Sequence, residues 1–115
     1  MKERARKASS LIQVILSEAI HAEIDATSFG MITVRRVKVS DDLGWAKVFM
    51  SGLRNQEKLV ETLNKRIYYL QGVVNRKLAM RKSPRLRFVL DDTAEYVEKI
   101  EKLIKKAKGE LVDSL

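Results

Sequence analysis

Few side chains in this chain could do chemistry, and each has an ordinary use nearby. The single histidine, His21, has no cysteine and no second histidine with which to hold a metal. The paired carboxylates Asp41-Asp42 and Asp91-Asp92 could share a proton. Both pairs, however, stand where turns and helix caps favour aspartate. No GxxxxGK[ST] phosphate loop occurs. No catalytic residue, metal site, cofactor or small-molecule substrate is expected. What the chain does carry is a run of cations. Residues 62–90 contain eight Lys or Arg and no Asp or Glu, while the fifteen basic residues elsewhere match the chain's fifteen acidic ones. A solvated helix face ordinarily mixes both signs. A stretch of one sign is suited to phosphates. The contact candidates are Lys65, Arg66, Asn75, Arg76, Lys77, Arg81, Lys82 and Arg85, with Arg35, Lys38 and Lys47 in second rank.

The totals fit that partner. A formal net charge of +8 and a pI near 9.9 favour a polyanion. The 115 residues, 45% hydrophobic, make one domain able to bury a core without a disulfide or metal staple. The absence of cysteine, of any apolar run near twenty residues and of a signal peptide points to a cytoplasmic protein with no membrane span.

The elements that must position these cations follow from periodicity. Residues 5–24 repeat at helical spacing through Ala8, Leu11, Ile12, Ile15, Ala19 and Ile20, behind a basic start of Lys2, Arg4, Arg6 and Lys7. Residues 31–40 read as a strand whose alternation changes phase between Ile32/Val34 and Val37/Val39, which predicts a bulge near Arg35 and Arg36. A turn at 41–44 leads to a strand over 45–51, with Ala46, Val48 and Met50 inward and Trp45, Lys47 and Phe49 outward. Residues 56–70 form a helix on Leu59, Val60, Leu63, Ile67 and Leu70. The stripe resumes after Gly72 and stops before Pro84. Leu86, Phe88 and Leu90 alternate as a third strand. Asp92 and Glu95 have the spacing of a capping box. A last helix would bury Tyr96, Ile100, Leu103, Ile104 and Ala107, with Gly109 as its cap and 109–115 as a short tail. The order is α-β-β-α-kink-α-β-α. It predicts an α+β domain, a three-stranded sheet with helices on one face.

Two segments carry a resemblance. VKVSDDLGWAKVFMS (37–51) is similar to the V-x-V-S-x-D-L-x-x-A-x-V-[YF]-x-S stretch of the ribosome-binding factor A family. RKSPRLRFVLDDTAEYVEKIEKLI (81–104) resembles that family's R-x-x-P-x-L-x-F-x-x-D-x-[ST] segment. The resemblance implies a KH domain of the second type without a GxxG loop. It also implies a monomeric, non-catalytic partner of the free small (30S) ribosomal subunit and its 16S rRNA, tied to late maturation, 5′-end processing and growth in the cold. The family joins its central helices at an A-x-G kink, which the resemblance places at Leu70-Gln71-Gly72. The stretch from Gly72 to Pro84 is then about one helical turn shorter than in the family, and Asn75 stands where arginine is expected. Two other readings fit the composition. One is a KH-like RNA-binding module without ribosome specificity. The other is a protein–protein adaptor using the Trp45/Phe49 face.

Overall fold

A computed structural model describes residues 2–92 and 94–113, with the side chains of 94–96 and 109–113 left aside. The element order is α1 (Glu3–Glu23), a short 3-10 turn (Ala26–Ser28), β1 (Thr33–Val39), β2 (Trp45–Ser51), α2 (Gln56–Lys65), α3 (Ile67–Leu78), β3 (Arg85–Leu90) and α4 (Ala94–Asp113). The sheet order is β1-β2-β3, with β1 antiparallel and β3 parallel to β2. This is the expected α+β architecture. α1 packs on β1 and against α3, and α2 lies against β3, so one face of the sheet is covered.

The phase change in β1 is a bulge. Val34 pairs with Met50 and Arg36 with Phe49, leaving Arg35 as the extra residue. The bulge lets Val34, Val37 and Val39 all point inward, where they are 7%, 8% and 2% exposed. Ala46, Val48 and Met50 are fully buried beneath them, as their alternation predicts. In α1 the buried set is Ala5, Ala8, Ser9, Ile12, Ile15, Leu16 and Ile20. Leu11, expected on this stripe, is exposed, and Leu16 takes its place in the core.

Both sheet edges are blunted by helix side chains. Along β1, Ser9 Oγ accepts from the Val39 N–H, Gln13 Nε2 donates to the Val34 carbonyl, and His21 Nε2 lies 3.2 Å from the Ile32 carbonyl. His21 therefore covers an edge strand. Along β3, Gln71 Oε1 accepts from the Leu86 N–H at 2.9 Å and its Nε2 donates to the Pro84 carbonyl at 3.0 Å. Removing this clamp should leave two half-buried backbone groups without partners. Gln71→Ala should cost about 1–3 kcal/mol, read as a lower denaturation midpoint at unchanged m-value. A midpoint equal to the parent's would show that water replaces the amide at no cost.

The break between the central helices is not at Gly72. It falls at Arg66, whose φ of −98° and ψ of 11° interrupt the helical run between Lys65 and Ile67. Leu70, Gln71 and Gly72 are ordinary members of α3. The break redirects the chain so that α2 meets β3 while α3 meets α1. It is pinned by Glu23 of α1, which faces the Arg66 guanidinium at 3.5 Å and accepts from the Tyr69 hydroxyl at 3.3 Å. Moving the break from Gly72 back to Arg66 adds more than a turn to the segment before Pro84, which accounts for the apparent shortfall there. Gly72 is not among the positive-φ residues, and a Cβ built on it meets only the flexible tip of Arg76, at 3.3 Å. Gly72→Ala should therefore stabilise the protein by about 0.5–1 kcal/mol. A lower melting temperature would restore the hinge.

α3 stops at Leu78, before Pro84, because Ala79 turns left-handed at φ 52°. α4 departs furthest from its expected packing. It runs through Gly109 to Asp113, so Gly109 is not a cap and 109–113 is not a tail. Ile100 is buried and Ile104 half-buried, over Gln56 and Asp91, but Leu103 and Ala107 are exposed. The expected capping box at Asp92–Glu95 and the packing of Tyr96 lie outside the described residues.

Candidate nucleic-acid interface

The loop released by Ala79 folds back over the C-terminal half of α3. Its cations meet those of β3 around a hollow of about 410 Å³ lined by Gln71, Asn75, Met80, Arg81, Lys82, Ser83 and Arg85. Among the described residues no acidic one lines it. Four of the expected contact residues, Asn75, Arg81, Lys82 and Arg85, thus converge on one concavity, and all four are exposed. The Asn75 side-chain oxygen accepts from Gln71 Nε2 at 3.0 Å, which turns the NH₂ of Asn75 into its available polar group. Such a donor suits a phosphate or a ribose 2′-OH.

A neighbouring hollow shares Met80, Arg81 and Lys82 and adds Arg4 from α1 and the hairpin turn at Asp42, Leu43 and Gly44. Asp42 accepts from Ser40 Oγ at 2.7 Å and from the Gly44 N–H at 2.9 Å. These two bonds, chiefly the first, hold its carboxyl below the ordinary aspartate range, and Lys82 adds to the effect. Asp42 is the one negative charge among the described residues that line this second hollow. Asp41 accepts from the Lys2 N–H, and Asp91, buried, lies 3.9 Å from the Arg35 guanidinium. Three of the four paired aspartates thus have structural partners: Asp41 against the start of α1, Asp42 in the hairpin turn and Asp91 beside Arg35. Among the described residues no group of three His, Asp or Glu is placed to hold a metal.

Arg76 and Lys77 occupy the exposed side of α3 beside the hollow. Lys65 and Arg66 stand at the opposite end of that helix, each beside a carboxylate: Lys65 is 3.2 Å from Glu61 and Arg66 is held by Glu23. The structure does not bring these two to the hollow.

Two of the second-rank residues, Lys38 and Lys47, belong to a different surface, while Arg35, the extra residue of the bulge, lies beside Asp91. The sheet face turned away from the helices carries Arg36, Lys38, Lys47, Arg85 and Arg87, and none of the three strands contains an acid. Lys38 is the register partner of Lys47, and Lys47 of Arg87. Like charges placed directly opposite weaken a sheet, so this row gains nothing for the fold and suits a polyanion. Phe49 is not an open platform. The Arg36 guanidinium caps its ring at 4.0 Å, and the Lys47 ammonium lies 5.5 Å from it. Arg36 and Arg87 are additions to the expected contacts. The alternation Arg85-Leu86-Arg87-Phe88 is the signal that could have found the second. Arg36 is hidden by the bulge. Arg4, part of the basic start, proves to adjoin Arg81 and Lys82.

Comparison with known proteins adds an independent line. A family model described as "Ribosome-binding factor A" matches residues 4–104. The chain is 35% identical over 112 residues to ribosome-binding factor A of Teredinibacter turnerae, covering 93% of this chain and 85% of that protein. It is 36% identical over 109 residues to that of Coxiella burnetii, covering 93% and 92%. The crystal structure of ribosome-binding factor A from Thermus thermophilus superposes with a TM-score of 0.68 at 26% identity, covering 75% of this chain and 94% of that one. A homology model of the Thermus thermophilus protein, fitted into a cryo-EM map of a 30S–RbfA complex, superposes with a TM-score of 0.63 at 27% identity, covering 70% and 88%.

Proposed function

The chain belongs to the ribosome-binding factor A family, with that family's KH-like fold, and from this premise we propose that it binds the free small ribosomal subunit at its 16S rRNA. It acts there as a monomeric, non-catalytic maturation factor in the cytoplasm, assisting late assembly and processing of the rRNA 5′ end. Its loss should be felt most in the cold. No helix among the described residues is long and apolar enough to cross a membrane.

The observation that carries this reading is the acid-free hollow where Asn75, Arg81, Lys82 and Arg85 converge. Arginine and lysine at its rim neutralise phosphates and release their counterions, a term that supplies affinity without reading sequence. Shape supplies the rest. A concave basic surface between the end of α3 and the start of β3 fits a folded RNA backbone, as proteins that recognise structured RNA commonly do. Bound there, the protein holds an immature conformation of the rRNA until assembly displaces it.

The test is a salt titration of binding to purified free small subunits. With about five phosphate contacts, from Arg76, Lys77, Arg81, Lys82 and Arg85, the log–log slope of affinity against salt should lie near −3.5 to −4.5. A slope close to zero would point instead to a protein–protein contact and remove the basic hollow from the interface.

A further inference from the structure

Two of the aromatic side chains that the fold leaves exposed line one cleft together. Tyr68, second residue of α3, is 93% exposed, and Trp45, first residue of β2, is 53% exposed. An aromatic ring this open contributes little burial to stability. With Ile67, Gln71, Arg85 and Leu86 the pair lines a cleft of about 360 Å³ at the corner where α3 meets the sheet. Apolar and aromatic side chains make up most of its lining. Arg85 is the one charge among the described residues that line it, and its guanidinium lies 5.7 Å from the Trp45 ring centroid. Gln71, fixed by its bonds to Pro84, Leu86 and Asn75, holds the helix against the strand and keeps the cleft formed.

The cleft opens beside the basic hollow, and Gln71 and Arg85 line both. We propose that the Trp45–Tyr68 cleft takes one unpaired base of the bound RNA, stacked on these rings, while Arg85 holds an adjacent phosphate. Every base has a π face, so such a site accepts a splayed-out nucleotide without demanding its identity. An RNA strand is the occupant favoured by charge. The cleft continues into cations on the hollow side and borders the like-charged strands on the other, and neither presents an acid to a basic or neutral peptide. The proposal rests on the reading that the chain binds RNA. It adds a site for single-stranded or bulged RNA to a surface that otherwise sees only phosphates.

Trp45 is the chain's sole tryptophan, so its fluorescence reports on this cleft alone. The probes are a short single-stranded oligoadenylate and an abasic strand of the same length and charge. Oligoadenylate should quench the emission and the abasic strand should not. Affinity for oligoadenylate, read by anisotropy of a labelled strand, should fall about tenfold in Tyr68→Ala and in Trp45→Ala. Tyr68→Phe should restore it, because stacking needs the ring and not the hydroxyl. Equal affinity for the two strands with unchanged emission would overturn the base site. Pelleting of the same protein with small ribosomal subunits separates the two failures. If pelleting persists, the base site alone is wrong. If it is also lost, the ribosome reading falls with it.

Discussion

Arg81→Glu combined with Arg85→Glu should lower affinity for the free small subunit by about a thousandfold while leaving the melting temperature within about 3 °C of the parent. At near-physiological salt each neutralised phosphate is worth a factor of roughly five to six, from a slope of about −0.9 per contact. A double reversal removes two attractions and adds two repulsions, which multiplies to that order. The two side chains are exposed and line the acid-free hollow together. Neither is placed in an ion pair with a carboxylate among the described residues. Exposed substitutions of this kind usually shift stability by no more than about 0.5 kcal/mol. Arg81→Lys with Arg85→Lys should keep most of the binding, since phosphate neutralisation needs charge more than the guanidinium fork. A large fall in melting temperature in the Glu variant would mean that these arginines hold the loop and not the RNA.

Leu70→Ala should destabilise the protein by about 3 kcal/mol, within the range of roughly 2–5 kcal/mol for emptying a buried leucine site, and lower the melting temperature by roughly 10 °C or more. Leu70 is 1% exposed in the main core, on the buried face of α3, the helix that packs against α1. Two residues earlier, Tyr68→Ala should change stability hardly at all, because its ring is already in water. Thermal denaturation of the two variants side by side reads the rotation of α3. Comparable losses in both variants would contradict this rotation of α3, with Leu70 inward and Tyr68 outward.

Much of this was legible in the chain because local pattern and tertiary outcome agree. The phase change between Val34 and Val37 is itself the signature of the bulge, since both must be buried and only an extra residue allows it. The strict alternation of Trp45 to Met50 leaves no choice of register. The acid-free stretch marked the side of the molecule that carries the hollow, although sequence spacing could not show that Asn75, Arg81, Lys82 and Arg85 converge while Lys65 and Arg66 do not. The helix break left no compositional trace. Arg66 is a good helix former, and the interruption is set by where α2 and α3 must pack and by Glu23, far away along the chain. Gly72 drew the hinge to itself because glycine is the usual mark of one. α4 shows the converse. Its 3.6-residue stripe is real, but periodicity reports that a face is apolar and not what covers it.

The most direct measurement is co-sedimentation of the purified protein with free small subunits, large subunits and joined ribosomes at two salt concentrations. Selective pelleting with the free small subunit, lost as salt rises, is the result this account predicts. Equal pelleting with all three particles would contradict it, leaving a basic RNA-binding protein whose surface does not distinguish the maturing subunit.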